Sequence, residues 1–448
     1  VKNGPDPPGG DPIDTWIRDP VKQFINNSTA GGAVLFLSAL VALILSNSPW
    51  ADQYLAFWEI EVSIRIGELD FERTLHHWIN DGLIAVFFFV VGLELKREII
   101  AGELSDPKSI ILPIAAAMGG VLMPACIYLI FNPSGPTSDG WGIPIATDIA
   151  FALGVVYLLG DRVPLWLKVF LTTLAIVDDL VAVLVVAIFY TPTVDLLSLG
   201  IAAVFLLVLV LSNKIGIRST LYYAVLGIAG LWYSFLISGI HPTVAAVLLA
   251  FTIPARPKMS KRVFSRWLER MLESFRRAKT IKNAPVVSDE QLKIVRRIRR
   301  VSKMAVTPLQ TLEHGLHPFV SFVVMPVFAL SNAAVAFPNN IWGYYFSTVS
   351  MGVFFGLLIG KVLGIGLVVL LLVRLKVAKL PAEMNYRHIL GLGMLAGIGF
   401  TMSLFISGLA FSDQEFLAQA KLAIFSSSVI ASVSGYFLLR TSNSHKIS

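Results

Sequence analysis

The chain has 448 residues, 55% hydrophobic and only 15% charged, with a mean hydropathy of +0.73. That balance excludes an ordinary soluble domain and a disordered chain. The net charge of +7 and the single Cys126 argue for neither nucleic-acid binding nor an intramolecular disulfide. The charge lies in loops between apolar runs, where it reports topology.

In chain order, residues 1–27 open with a proline-rich, acidic stretch and have no signal-peptide pattern. They read as a cytoplasmic leader with an amphipathic piece at 15–24. Runs of about 20 apolar residues, each enough to cross a hydrocarbon core of about 30 Å, then recur. About twelve are centred near residues 40, 88, 120, 151, 178, 204, 228, 247, 328, 359, 398 and 428. The expected fold is therefore an all-α polytopic membrane protein, with spans one to eight in 28–255 and nine to twelve in 311–440. The eighth, at 240–253, is short. Within 56–66, apolar Trp58, Ile60, Val62, Ile64 and Ile66 alternate with polar residues. That period-2 pattern predicts a small outer β-hairpin at about 56–70. Such a strand either folds back on its own surface or pairs with another protomer.

Residues 256–310 form a basic loop in which Trp267, Met271 and Phe275 recur every four residues among arginines. An amphipathic helix with a second basic run, Arg296 to Arg300, fits contact with anionic lipid headgroups at 256–303 better than a regulatory partner site. Residues 441–448 read as a cytoplasmic tail. Alternate connections carry Lys96, Arg97 and Lys108; Arg162 and Lys168; Lys214 and Arg218; and Arg374, Lys376, Lys379 and Arg387. The intervening loops at 191–195, 238–242, 337–343 and 412–415 have no Lys or Arg. Both termini are expected on the cytoplasmic side.

Chemistry is expected at charges within the spans: Asp81, Glu94, Asp148, Asp178, Asp179 and Lys361. One Asp at a helix centre costs about 2.5–3.5 kcal/mol on insertion scales. The adjacent pair Asp178 and Asp179, within the apolar stretch 169–190, therefore needs a bound cation, a proton or a buried Lys. Neighbours differ by about 100° around a helix, which predicts a division of labour. One ligates a cation while the other pairs with Lys361, which sits among Gly356, Gly360, Gly364 and Gly366. Pro144 disrupts the span carrying Asp148, and Gly391 to Gly399 disrupt the eleventh. Broken helices at membrane depth are tolerated where they line a cavity or are buried in protein. Asp148 is expected to neutralise exposed helix N-termini and Lys361 the opposing C-termini. His314 and His317 are expected to flank a helix start near Pro318.

The motifs NDGL at 80–83, VGLELKRE at 91–98, ATDIAFALG at 146–154 and LAIVDDL at 174–180 resemble those of NhaA-type sodium/proton antiporters. So do LEHGLHP at 312–318, GKVLG at 360–364 and GIGFTMS at 397–403. The resemblance implies inverted repeats in spans three to five and ten to twelve, with discontinuous fourth and eleventh helices crossing at the midplane. It implies that Asp178, Asp179, Asp148 and Thr147 bind ion and proton, with Na⁺ on Asp179, Asp178 and Thr147. Lys361 would be the partner of Asp178 and a proton carrier, and Glu94, Glu313 and His241 would serve pH response. The expected activity exchanges intracellular Na⁺ or Li⁺ for external H⁺ by alternating access. It would be electrogenic at two H⁺ per Na⁺, serve pH and sodium homeostasis and need no cofactor. The expected setting is a homodimer in a bacterial cytoplasmic (inner) membrane. Two departures bear on the pH profile: 256–308 is long, and Gly315 stands where a bulkier residue is expected.

Two other classes are weaker. Intramembrane aspartic proteases carry their aspartates on separate helices, with a motif absent here. A channel needs a continuous pore of several weak sites, whereas a broken-helix midplane site suits alternating access.

Overall fold

The computed structural model describes residues 28–66, 69–102, 107–191, 194–278, 288–337, 340–377 and 385–442. The expected leader at 1–27, the turn at 67–68 and the end of the tail at 443–448 lie outside these residues. Among the described residues, eight helices are long and apolar enough to cross a membrane. They are Ile111–Phe131, Pro136–Leu158, Leu165–Phe189, Leu196–Ile215, Thr220–Ser238, Pro308–Asn332, Thr348–Arg374 and Gln414–Arg440. A ninth forms if Tyr386–Ala396 and Phe400–Ala410, bent by 45°, are taken together. The chain is a multi-pass, predominantly helical membrane protein.

The three other expected spans are helical but less span-like. Ile84–Ala101 includes Glu94, Lys96, Arg97 and Glu98, while Ala30–Leu45 and Pro242–Thr252 are short. The 11 residues of Pro242–Thr252 reach only about 17 Å. Lys96 closes that helix end, its Nζ donating to the carbonyl oxygens of Phe251 and Ile253. Orphan carbonyls at a helix terminus need such partners.

Hydrophobicity alone does not decide which helix is central. Leu196–Ile215 shows Leu197, Val204, Leu207 and Ile215 outward, as expected for a lipid-facing surface. Leu165–Phe189 is instead buried along most of its length, Asp178 and Asp179 included. Its neighbours approach closely through small residues. A Cβ added at Gly119 would collide with the backbone oxygen of Gly364, and one at Gly364 with that of Gly119. Helices without a hydrophobic drive between them gain contact this way.

The strands Glu61–Ile66 and Leu69–Thr74 pair antiparallel, with Glu61 opposite Thr74 and Ile66 opposite Leu69. The hairpin is thus shifted from the expected 56–70, because Ala51–Trp58 is a helix. The basic loop contains two helices, Lys261–Arg277 and Asp289–Ala305, the second opened by a Ser288–Gln291 capping box. His314 and His317 do not flank a helix start. Pro308, a suitable first helical residue, begins the helix after the Thr307 cap. The helix runs through Pro318, and a wide turn follows at Val320–Val324.

Gly364→Ala tests the close crossing. Both colliding groups are backbone and have no rotamer escape, so a loss of about 1–3 kcal/mol is expected. Thermal unfolding in detergent measures it, and an unchanged midpoint would mean that the helices separate freely.

Candidate ion-binding site

Two interruptions build the centre. Pro136–Ile145 is a 3₁₀ helix, Ala146 to Asp148 are extended, and an α-helix restarts at Ile149. The second interruption separates Tyr386–Ala396 from Phe400–Ala410 at Gly397 to Gly399. The breaks are stitched to each other, with Asp148 N donating to Ile398 O at 2.7 Å. Ser403 Oγ donates to Ile143 O at 2.8 Å. Gly397 has no room for a side chain, since a Cβ would meet Leu357 O.

Asp148 caps both restarting helices. Its Oδ1 accepts from Phe151 N at 3.0 Å, and its Oδ2 from Thr401 N at 3.1 Å and Thr401 Oγ1 at 2.6 Å. A carboxylate there meets two positive dipole ends and satisfies donors that would otherwise be orphaned. Lys361 does the converse, donating to Ile145 O at 2.6 Å, where the 3₁₀ segment ends.

Lys361 Nζ also meets Asp178 Oδ2 at 2.5 Å, with both side chains fully buried. Thr147 Oγ1 lies 2.7 Å from the same Asp178 oxygen and 2.8 Å from Ala396 O, so its single proton is shared. Asp179 is different. Neither of its carboxylate oxygens has a hydrogen-bond partner, nor has Asp178 Oδ1. Asp179 is only 1% exposed, and its charged neighbours include Asp178, Asp148, Glu94 and Lys361. Three orphaned carboxylate oxygens buried side by side are an unfavourable arrangement by themselves. They are suited to a proton or a hard, oxygen-seeking cation.

The other candidates fall into two places. Glu94, Arg97 and Glu98 share one helix, and Arg97 meets Glu313 from Pro308–Asn332. Arg97 Nε lies 3.3 Å from Glu313 Oε1, and Arg97 Nη2 lies 3.0 Å from Glu98 Oε1. His241 is elsewhere, with Nε2 3.6 Å from Asp81 Oδ1 and Nδ1 2.9 Å from Thr243 Oγ1. Asp81 and Glu94 are 13 residues apart on a nearly continuous helix, hence about 20 Å. His241 and Glu94 therefore do not share a site.

Several partners were not identified from the chain. Thr401 lay unremarked within the motif at 397–403, and its bond to Asp148 depends on how the two breaks face each other. Asn80 bridges His76 Nε2 and Asn332 Nδ2 at 2.9 Å each, and His76 Nδ1 lies 2.9 Å from Ser331 Oγ. Lys421 reaches Ala334 O at 3.2 Å. A Lys inside the apolar stretch 414–440 was the signal that could have marked that region.

Residues 22–439 match the family model described as Na⁺/H⁺ antiporter 1. The chain belongs to that family. The Na⁺/H⁺ antiporter NhaA of Acidithiobacillus ferrooxidans is 50% identical, over 94% of this chain and 97% of its own length. That of Oleidesulfovibrio alaskensis is 45% identical, over 96% and 95%. For an antiporter of this family, the paired breaks and the unpartnered Asp179 are features of its own chain, independent of those names.

Asp148→Ala strands Phe151 N and Thr401 N at about 1–3 kcal/mol per buried donor. Asp148→Asn keeps one acceptor and should lose clearly less in thermal unfolding. Equal losses would show that the negative charge, more than the capping bonds, holds the two helix ends.

Proposed function

We propose that this chain exchanges intracellular Na⁺, or Li⁺, for external H⁺ by alternating access. The observation that carries this is the unequal pairing of adjacent carboxylates. Asp178 is held by Lys361 and Thr147, while Asp179 has both oxygens free in a buried position. A cation needs ionised carboxylate ligands and a proton removes them, so the two compete for one place. Asp179 is assigned as the principal ligand, with Asp178 Oδ1 and Thr147 completing the shell and Asp148 holding the surrounding helix ends.

Lys361 is assigned as the second proton carrier. When Na⁺ draws Asp178 into its shell, the Lys361 amine gives up its ion-pair partner. Two protons against one Na⁺ move one net charge inward, worth about 2.3 kcal/mol per 100 mV. Glu94 with Glu313 at one end, and His241 with Asp81 at the other, are assigned to pH response. The reading includes twelve spans, inverted repeats at 111–189 and 348–440, cytoplasmic termini and a bacterial inner membrane. It also includes service to pH and sodium homeostasis, and anionic lipid contact at 256–303. A passive channel is disfavoured because the carboxylates sit among buried helix ends.

Proteoliposomes test the exchange. Asp179→Asn preserves volume and should insert and unfold normally while losing Na⁺-coupled proton release by about 100-fold or more, as for loss of a group acting directly at the site. Retained Na⁺ binding and transport would remove Asp179 as the ligand. In the wild-type protein, an imposed potential should drive exchange without a pH gradient; indifference to it would exclude the two-to-one stoichiometry.

The hairpin is assigned to a homodimer, because antiparallel strands leave an edge able to pair with a second copy. Deleting residues 61–74 should give monomers that still exchange ions, since every assigned ligand lies within one chain. A dimer that survives the deletion, detected by cross-linking, would place the interface elsewhere.

A further inference from the structure

The segment after Pro242–Thr252 takes no part in the ion site, yet its fold leaves a cavity lined by basic side chains. Its two ends are tied together, with Lys258 N donating to Met304 O at 3.0 Å and Leu309 N to Pro254 O at 3.3 Å. Where Asp289–Ala305 meets the membrane helices, a cavity of about 340 Å³ opens among Arg218, Lys258, Arg300, Lys303, Pro308 and Thr311. Four cationic side chains from three stretches of chain converge there, and no carboxylate lines the space. Among the described residues, none of the four stands in an ion pair. Arg218 uses one donor on Val306 O at 3.3 Å, leaving most of its five free. Pro308 begins a helix that runs to Phe319 and continues beyond it, so the positive end of its dipole faces the same cavity.

Gathered cations repel unless an anion joins them. A phosphate group is the best match, since it presents several acceptor oxygens and up to two charges to guanidinium and ammonium donors. We propose that this cavity is a phosphate-group site, filled by the headgroup of an anionic lipid or by free phosphate. The lipid source has a further feature in its favour. Thr220 also lines an apolar groove of about 460 Å³ that continues past Tyr223, Leu249, Leu312 and Leu316, where an acyl chain would lie. An occupant ties the Asp289–Ala305 helix to the helix that carries Glu313, two residues beyond Thr311. The site stands on its own geometry and does not depend on the ion-exchange reading.

The test uses the full chain in neutral detergent, with thermal unfolding followed by tryptophan fluorescence. Potassium phosphate is titrated against potassium chloride of equal ionic strength, and phosphatidylglycerol against zwitterionic phosphatidylcholine. Protection by phosphate identifies a soluble source; protection by phosphatidylglycerol alone identifies the lipid headgroup. In either case Arg300→Gln with Lys303→Gln should raise the half-saturating concentration about tenfold or more. Arg296→Gln with Arg297→Gln removes the same charge from the same helix outside the cavity, and should shift it less than about twofold. No protection from either source, or equal shifts in the two double variants, overturns the site.

Discussion

One buried amine facing two adjacent carboxylates is the constraint on which the centre of this molecule depends. Asp148, Asp178, Asp179 and Lys361 are each at most 1% exposed, so water cannot compensate them. Asp148 is balanced by two helix N-termini and Asp178 by Lys361 and Thr147. Asp179 is left with neither a hydrogen bond nor a countercharge of its own. A medium of low dielectric makes that imbalance costly, and the same cost makes any arriving positive charge effective.

The compensation exists only because the helices are broken. An uninterrupted helix satisfies its own backbone groups and offers no free N–H ends to Asp148 and no terminal carbonyl to Lys361. The interrupted segments must then be enclosed by protein, which explains the small residues nearby. Gly356 packs against Pro144 and Gly360 against Pro124, where any Cβ would collide. The Lys361–Asp178 pair adds little to stability by itself. Buried ion pairs are usually no better than well-packed apolar groups of the same volume, so the arrangement is explained by charge exchange more readily than by folding.

Much of this was legible in the chain because burial of charge is so expensive. Asp178, Asp179 and Lys361 stood out from their apolar surroundings, and Pro144 and the glycines at 391–399 marked the breaks. What remained hidden depends on contacts distant in sequence. Nothing local says that Asp148 caps a helix 250 residues away, or that Arg97 meets Glu313. Local alternation also misled: 56–58 fit a strand pattern but end the helix Ala51–Trp58. The histidines near Pro318 suggested a helix start because proline is usually read as a boundary. Here the helix runs through it, and the true start lies ten residues earlier at Pro308. In Ile84–Ala101 the apolar run does form a helix, but Glu94, Lys96, Arg97 and Glu98 make its second half polar.

The cap shared through Asp148 has a mechanical consequence. Phe151 N and Thr401 N belong to different half-helices but hang from opposite oxygens of one carboxylate. Sliding one past the other would sever a charge-assisted bond where no solvent can replace it. Asp148 thus acts as a rivet that holds the two restarting halves in one register. Leu165–Phe189 is linked to this pair more loosely, through the proton that Thr147 divides between Asp178 and Ala396. A hydroxyl rotating between two acceptors is a far softer joint than a carboxylate gripping two helix ends.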